Sequence, residues 1–340
     1  MSQIAIIGAG AWGTALSIVL GRDDAHRIRL WAHEKDVCES ISQRRINEKF
    51  LPGQIIPASV TPCSALAEAL QNASIVVSVM PSQHCRHLFE EISPHLRAEI
   101  TIVSATKGLE EHSLLRMTEV IAQVVKRSAG GTLRIGALSG PSFALEAARG
   151  DPTAVSFASQ DAKVARSIQQ QFSNASFRVY TNDDPIGVEL GGALKNTIAI
   201  AAGVAAGLGL GHNSVAALIT RGLAEMTRLV IACGGKAETM SGLAGLGDLV
   251  LTCTGGLSRN RSVGVELGRG RKLQEILAGM HGMVAEGVFT TTAAVELARA
   301  QGIEMPITQQ MHAILHEGKA PREAIYELMT RSGKSETLRK

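Results

Sequence analysis

The stretch that most constrains this chain is a glycine-rich turn near its N-terminus, in residues 3–13, Q-I-A-I-I-G-A-G-A-W-G. The apolar residues 3–7 are followed by Gly8, Gly10 and Gly13 in the spacing G-x-G-x-x-G, and then by a helix-compatible segment. Gly8 permits a sharp turn, Gly10 lets the backbone approach a pyrophosphate, and Gly13 lets the helix pack close to the strand. The helix N-terminus offers N–H groups to an anion. The pattern predicts a dinucleotide site, with an ordinary tight turn as the alternative.

The second strand is predicted at residues 27–31, and the residues after it bear on the choice of nucleotide. His33, Glu34 and Lys35 lie about twenty residues beyond the glycine turn, where contact with the adenosine ribose is expected. Glu34 could accept a hydrogen bond from a ribose 2′-hydroxyl, which favours NAD. His33 and Lys35 could bind a 2′-phosphate, which favours NADP. The pattern leaves both open, and a solvated loop is the plain alternative.

Composition argues against several classes of function. The net charge is only +3 and aromatic residues make up 3% of the chain, so neither the basic surface nor the stacking side chains typical of nucleic-acid binding are present. The five cysteines have no C-x-x-C spacing, which favours free thiols in a reducing cytoplasm over disulfides or a metal site. Because the N-terminus opens directly into a strand, no signal peptide is expected.

A charge-free stretch at residues 196–220 is long enough to span a bilayer. Alanine and glycine dominate it, and His212 and Asn213 lie within it. We therefore expect a helix buried within protein and no integral membrane segment.

Further apolar runs predict a parallel sheet that is covered on both faces. They lie at residues 74–79, 100–104, 134–138, 154–158 and 177–180. Together with the first strands they make at least six β-like segments. A helix and a loop that ends in Leu51-Pro52-Gly53 are predicted from residue 39, a helix for residues 114–125, and a helix that begins near Asp161.

Loops at the carboxyl ends of parallel strands line the ligand crevice of such a sheet. Met80-Pro81-Ser82 follows one predicted strand, Lys107 and Gly108 follow the next, and the small residues 139–144 follow a third. Lys107 is placed to enter the crevice, although a lysine that only solvates a loop fits the same pattern.

Beyond residue 180 the pattern becomes helical. A turn-rich break at residues 181–185 is followed by helical patterns only. We therefore predict two domains, a dinucleotide-binding domain at residues 1–187 and a helical substrate domain at residues 188–340.

Polar residues in the second domain suggest chemistry. Lys195 stands at the predicted entrance of the uncharged helix, either as a surface lysine with a buried stem or as a desolvated lysine with a shifted pKa. Asp248 lies among apolar residues and needs a cationic partner if it is buried, for which Lys195 is the candidate. Ser258, Arg259 and Asn260 precede a helix and predict an anion site, with a plain N-cap as the alternative.

The chain resembles the bacterial-type NAD(P)-dependent sn-glycerol-3-phosphate dehydrogenases through seven collinear motifs. They are G-A-G-A-W-G-T-A at 8–15, S-A-T-K-G at 104–108, S-G-P-S-F-A at 139–144, G-G-A-L-K-N at 191–196, G-L-G-D-L at 245–249, S-R-N at 258–260 and V-A-E-G at 284–287. The resemblance implies an α/β fold, with an N-terminal Rossmann-like dinucleotide-binding domain and a second, all-helical domain. It also implies a homodimer that interconverts dihydroxyacetone phosphate and glycerol 3-phosphate for phospholipid synthesis.

The family pattern assigns roles to individual residues of this chain. Lys195 would be the proton donor and acceptor, with Lys107 and Asp248 beside it as catalytic residues. The substrate set is Lys107, Gly140, Ser142, Lys195, Asp248, Ser258, Arg259 and Asn260. The cofactor set is Gly8, Gly10, Ala11, Trp12, Gly13, His33, Glu34, Lys107, Ala144, Arg259, Val284 and Glu286. No metal ligand is implied.

One departure and two alternatives accompany this resemblance. Many members have arginine after the position of His33, whereas this chain has Glu34, so the choice between NADH and NADPH stays open and Lys35 could compensate. Related two-domain dehydrogenases that act on hydroxyacyl-CoA, ketopantoate or hydroxyisobutyrate form one alternative. A catalytically silent redox sensor forms the other, but Lys107, Lys195 and Asp248 have no evident use in binding a nucleotide alone.

Overall fold

A computed structural model describes residues 2–22, 26–97, 99–129, 133–280, 284–333 and 335–336. Its strands are β1 (Ser2–Ile7), β2 (His26–Trp31), β3 (Ile46–Asn47), β4 (Leu51–Ile55), β5 (Val60–Cys63), β6 (Ile75–Ser78), β7 (Thr101–Ser104), β8 (Arg134–Ser139), β9 (Thr153–Ala158) and β10 (Phe177–Asn182). Eight of these strands form one sheet in the order β5-β2-β1-β6-β7-β8-β9-β10. All neighbours in it are parallel except β8 and β9.

Helices cover both faces of this sheet. They are α1 (Ala11–Gly21), α2 (Lys35–Arg44), α3 (Leu66–Leu70), α4 (Cys85–Ile92), α5 (Met117–Ala129), α6 (Ala144–Arg149) and α7 (Ala162–Phe172), with 3₁₀ turns at Ser82–His84 and Ser93–His95. Side chains alternate along β1, so Ile4 and Ile6 join the core on one face while Ala5 and Ile7 join the core on the other. The continuous apolar runs therefore have the buried, two-sided environment that the sequence predicted.

The second half of the chain is helical. It holds α8 (Pro185–Gly207), α9 (His212–Ala232), α10 (Ala237–Met240), a π-helical turn (Leu243–Gly247), α11 (Asp248–Thr254), α12 (Arg259–Gly268), α13 (Leu273–Ala278), α14 (Glu286–Ala300), α15 (Pro306–His316) and α16 (Pro321–Thr330). Every described element after β10 is a helix or helical turn. The predicted α/β fold, with a Rossmann-like first part and an all-helical second part, is confirmed.

Several local predictions are corrected. Residues 51–53, predicted to end a loop, instead begin β4, which pairs antiparallel with β3. The edge strand β5 was not predicted, because Pro62 and Thr61 interrupt its apolar pattern. The helix predicted from residue 114 begins at Met117, since the backbone of Leu114 has φ 59°. The helix predicted near Asp161 is confirmed, because the Asp161 carboxylate caps α7 by accepting from Lys163 N.

The position of Lys195 in its helix is also corrected. The sequence placed it at the entrance, whereas α8 begins ten residues earlier at Pro185, where Asp184 accepts a hydrogen bond from Gly187 N at 2.9 Å. Lys195 therefore lies in the middle of the helix, where 6% of its surface is exposed. The charge-free stretch at residues 196–220 covers the second half of α8 and the start of α9, and it is not one continuous helix.

Helix α8 is long and apolar enough to cross a membrane by length and composition alone, but 89% of its most apolar window is buried inside the protein. The bent pair of helical segments from Ala237 to Gly268 passes the same test only if it is taken as one span. The neighbours that cover α8 are the helices of its own domain and the end of the sheet.

Buried ionic contacts join α8 to the sheet domain. The Arg116 guanidinium donates to Glu189 Oε2 at 2.6 Å, and Thr118 N at the start of α5 donates to Glu189 Oε1 at 2.8 Å. Burial raises the pKa of Glu189, and Arg116 opposes that rise. The carboxylate caps a helix of one domain from a helix of the other.

Glycines bring α8 and α12 into backbone contact. A Cβ built on Gly264 would lie 2.0 Å from the Ile200 carbonyl oxygen and 2.9 Å from Gly203 Cα. A Cβ on Gly203 would in turn lie 2.1 Å from the Arg261 carbonyl oxygen. No side chain fits between the two helices at this crossing.

We predict that Gly264→Ala destabilises the protein, although alanine is intrinsically better than glycine in a helix by about 1 kcal/mol. The clash with a backbone carbonyl outweighs that gain, and the free energy of unfolding should fall by about 2 kcal/mol in urea denaturation. Gly256→Ala is the control, because a Cβ there meets nothing within 4 Å. Equal stability of both variants would contradict the close crossing.

Candidate active site

The glycine turn joins β1 to α1 as predicted. Gly8 has φ +118°, and a Cβ on it would lie 2.0 Å from the Val79 carbonyl oxygen, while a Cβ on Gly13 would lie 1.9 Å from the Gly8 carbonyl oxygen. A Cβ on Gly10 would meet nothing within 4 Å. Gly10 is also the N-cap of α1, and no side chain caps that end. An open face beside uncapped N–H groups fits the pyrophosphate of a dinucleotide.

The other residues of this turn have distinct environments. Ala11 and Trp12 form the first turn of α1, and both pack partly against the core. The Trp12 ring lies 6.5 Å from the Phe177 ring, on the side of β10. Ala144 begins α6, which also has no side-chain cap. At these positions the uncapped backbone N–H groups are the features that suit an anionic ligand.

The residues at the end of β2 lie beside a hairpin that the sequence did not predict. His33 is exposed, with its ring 5.8 Å from the ring of Trp31. Glu34 is the N-cap residue of α2, and its Oε1 lies 3.6 Å from Lys49 Nζ. Lys49 lies between β3 and β4. The region predicted to contact the ribose therefore includes a second lysine besides Lys35.

One carboxylate holds two lysines from different domains. Lys195 Nζ donates to Asp248 Oδ1 at 2.6 Å and to Thr252 Oγ1 at 2.7 Å. Lys107 Nζ donates to Asp248 Oδ2 at 2.7 Å and to the Gly140 carbonyl at 3.2 Å. The predicted contact of Lys195 with Asp248 is confirmed. Lys107 enters the cluster from the carboxyl end of β7, as the crevice prediction required.

Electrostatics in this cluster favour a lysine that can exchange a proton near neutral pH. Burial, which is the largest cause, and the nearby Lys107 lower the pKa of Lys195, Asp248 raises it, and the net result is a pKa of about 8. Burial alone would raise the pKa of Asp248, but Lys107 and Lys195 outweigh burial and hold it below its usual range. The site therefore keeps an ionised carboxylate beside a lysine whose ammonium form is destabilised.

The small-residue loop after β8 lies against the same cluster. Gly140 has φ +145°, and its carbonyl accepts from both Lys107 Nζ and Ser142 Oγ. Gly192 of α8 approaches this loop so closely that a Cβ would lie 2.5 Å from Ser139 Oγ. The predicted substrate residues Gly140 and Ser142 are thus beside Lys107.

The three residues predicted as an anion site have different surroundings. Ser258 caps α12 by accepting from Arg261 N at 3.2 Å, which is the plain N-cap alternative. Asn260 is buried; it donates to Asn196 Oδ1 and accepts from Gly287 N, both at 3.0 Å. Arg259 is the exposed residue of the three.

Arg259 and Glu286 interact electrostatically, and Glu286 also contacts a loop of the sheet domain. The Glu286 carboxylate accepts from Ser82 Oγ at 2.7 Å and from Ser82 N at 3.2 Å. Burial raises the pKa of Glu286, and Ser82 and Arg259 oppose that rise. Val284 lies just before α14, whose first residue is Glu286. The start of α14 therefore contacts the loop after β6, where the dinucleotide crevice lies.

Sequence reasoning did not identify some of the residues at this site. Thr252 lies four residues after Asp248 on α11, and this spacing on a helix was an available signal. Asn196 follows Lys195 directly, and its Oδ1 accepts a hydrogen bond from Asn260 Nδ2. Among the described residues, no group of three or more His, Cys, Asp or Glu could hold a metal ion.

A nucleotide-binding sheet that faces a buried lysine–carboxylate pair on a helical domain is the arrangement of a two-domain, nicotinamide-dependent dehydrogenase. Residues 3–165 match the family model for the N-terminus of NAD-dependent glycerol-3-phosphate dehydrogenase, and residues 184–326 match the model for its C-terminus. The chain belongs to this family.

Individual relatives agree with that assignment. The chain is 64% identical to a glycerol-3-phosphate dehydrogenase (NAD(P)+) of Koribacter versatilis over 99% of each chain. It is 57% identical to the protein of the same name in Acidobacterium capsulatum, over 99% of this chain and all of that one. A crystal structure of glycerol-3-phosphate dehydrogenase from Coxiella burnetii superimposes with a TM-score of 0.92 at 43% identity, covering 97% of this chain and 99% of that one.

We predict opposite shifts in the pKa of Lys195 when its two charged neighbours are removed. Asp248→Asn removes the carboxylate that raises this pKa, so it should fall below about 8, whereas Lys107→Met removes a cation that lowers it, so it should rise. The measurement is the pH titration of the ¹³Cε resonance of Lys195. Lys163→Met, on the exposed face of α7, is the control. Shifts of the same sign in both variants would contradict this account.

Proposed function

We propose that this chain catalyses the reversible, NAD(P)-dependent reduction of dihydroxyacetone phosphate to sn-glycerol 3-phosphate. The observation that carries the proposal is the buried Lys195, held by Asp248 at 2.6 Å at the edge of the sheet where the dinucleotide crevice lies. Family membership supports the choice of substrate, because the relatives at 64% and 57% identity carry this activity in their names.

The glycine turn and the uncapped start of α1 would hold the pyrophosphate, and Glu34 would accept from the ribose hydroxyls. Lys107, Arg259, Val284 and Glu286 complete the proposed cofactor wall. The nicotinamide, when bound, supplies the hydride for reduction of the ketone and accepts it in the reverse direction. Proton transfer and the positioning of the substrate are assigned to side chains of this chain.

Lys195 is proposed as the general acid and base at the C2 oxygen of the substrate. A lysine with its ordinary pKa of 10.5 would be a poor proton acceptor near neutral pH, whereas a pKa of about 8 lets both forms coexist. In reduction the ammonium form donates a proton to the oxygen; in oxidation the amine form removes it. Asp248 and Thr252 fix the direction of the ammonium group, and Lys107 adds positive charge where the oxygen becomes negative.

The phosphate of the substrate is assigned to Arg259 and the N-terminal turn of α12. Arg259 is exposed at the start of α12, and Glu286 interacts with it electrostatically, so a guanidinium that can reach a ligand lies beside the helix N-terminus. Ser258, Asn260, Gly140 and Ser142 would line the rest of the site. Binding energy at this remote dianion can hold the ketone carbon in place.

The wider setting forms part of the same proposal. The resemblance supports a homodimer in the cytoplasm that supplies glycerol 3-phosphate for phospholipid synthesis. The end of β10 at Asn182 and the start of α8 at Pro185 support a domain boundary at residues 183–184, a few residues before the one predicted between 187 and 188, which lies in the first turn of α8. Light scattering tests the dimer, and limited proteolysis tests the boundary.

We predict that Lys195→Met lowers kcat for dihydroxyacetone phosphate by about 10²- to 10⁴-fold, because the positioned acid is lost. NADH and NADPH binding, followed by nicotinamide fluorescence, should persist, which separates lost chemistry from lost folding. Near-normal turnover would refute the assignment. If the wild-type chain binds cofactor but reduces no phosphorylated or acyl ketone, the sensor alternative is favoured.

The same role predicts a pH dependence. In the reductive direction kcat/KM should fall as the pH rises through about 8, because the donor is the ammonium form of Lys195 and that form is lost above its pKa. In the oxidative direction kcat/KM should rise over the same interval, because the acceptor is the amine. If kcat/KM rose or fell with pH in the same direction for both reactions, Lys195 could not be both the proton donor and the proton acceptor.

A further inference from the structure

The ribose end of the crevice holds an ion-pair cluster from two segments of the chain. Lys49 Nζ lies 3.6 Å from Glu34 Oε1 and 3.7 Å from Asp36 Oδ2. Both distances exceed the roughly 2.7 to 2.9 Å of a direct charge-assisted hydrogen bond. The Lys49 side chain is 39% exposed. Its ammonium group is therefore shared between two carboxylates and locked to neither.

The hairpin that carries Lys49 is tied to the glycine turn. Asn47 is fully buried, and its Nδ2 donates to the Ala9 carbonyl and to Thr14 Oγ1, both at 2.8 Å. Its Oδ1 accepts from Phe50 N at 3.1 Å. One side chain thus joins the pyrophosphate turn to the hairpin. Lys49 lies between Asn47 and Phe50, so these contacts hold its backbone close to the glycine turn, and its ammonium group lies 5.3 Å from the centre of the Phe50 ring.

The ammonium group of Lys49 determines the net charge of this ion-pair cluster. Without it, the two carboxylates of Glu34 and Asp36 outnumber the one ammonium group of Lys35, which is exposed on the first turn of α2, and the cluster is net negative. With Lys49 the two carboxylates and the two ammonium groups balance. A 2′-phosphate dianion is repelled by the first arrangement and tolerated by the second, whereas a 2′-hydroxyl is insensitive to the difference.

We propose that Lys49 is the specificity-determining residue that allows this chain to accept a 2′-phosphorylated dinucleotide despite Glu34. Its ammonium group turns from the two carboxylates to the 2′-phosphate, and with a 2′-hydroxyl bound it stays with Glu34, which then accepts from the ribose. The chain therefore uses both NADPH and NADH. This inference rests on the proposed function in one respect, namely that the chain binds a nicotinamide dinucleotide.

The experiment compares Lys49→Met with Arg44→Met, a nearby exposed cation that pairs with Glu48 at 3.9 Å and touches neither Glu34 nor Asp36. Dissociation constants for NADPH and NADH are measured by nicotinamide fluorescence on the full chain. Lys49→Met should weaken NADPH binding by about tenfold or more and change NADH binding by less than about twofold. Lys49→Arg should retain NADPH binding, and Glu34→Gln should strengthen it.

Several outcomes would overturn the inference. They are an unchanged NADPH-to-NADH ratio in Lys49→Met, an equal loss in Arg44→Met, or a wild-type chain that does not bind NADPH. Added salt gives a second measurement, because screening should weaken NADPH binding more in the wild type than in Lys49→Met. Binding is measured without substrate, so a chain that reduces no ketone would refute the proposed function while the binding ratios still decide the role of Lys49.

Discussion

The site depends on one buried carboxylate that is shared between two cations. Asp248 accepts from Lys195 of the helical domain and from Lys107 of the sheet domain, at 2.6 and 2.7 Å. Removing either cation would leave an incompletely compensated charge where 1% of the aspartate surface is exposed, a condition that proteins rarely tolerate. The same carboxylate joins the two domains and opposes the fall in the pKa of Lys195 that burial and Lys107 cause, so packing and chemistry depend on one residue.

On the cofactor side, two side-chain contacts hold the loops in place. Asn47 fastens the β3–β4 hairpin to the glycine turn, and Ser82 fastens the loop after β6 to Glu286 at the start of α14. Each contact links a loop at the carboxyl edge of the sheet to a distant segment. The loops at this edge of the sheet, where a dinucleotide is expected to bind, are therefore held by residues of both domains.

Much of this arrangement could be predicted from the sequence, where local chemistry alone decides the outcome. The glycine turn, the buried strands and the contact of Lys195 with Asp248 follow from spacing, apolar runs and the high free energy of an unpaired buried charge. The hairpin at residues 46–55, the contact of Lys49 with Glu34 and the central place of Lys195 in α8 could not be predicted. They depend on tertiary contacts and on a cap at Asp184, which have no periodic signal.

Helix α8 fixes the spacing of three residues that each have a different partner. It carries Glu189, which contacts the sheet domain, Lys195, which enters the site, and Gly203, which fits the crossing with α12. Because an α-helix turns by about 100° per residue, inserting or deleting one residue between these positions would rotate one of them away from its partner. Substitutions that preserve side-chain volume are therefore tolerated along α8, whereas insertions and deletions between these three residues are not. Lineages of this fold are therefore expected to vary freely in loop length while the register of this segment stays constant.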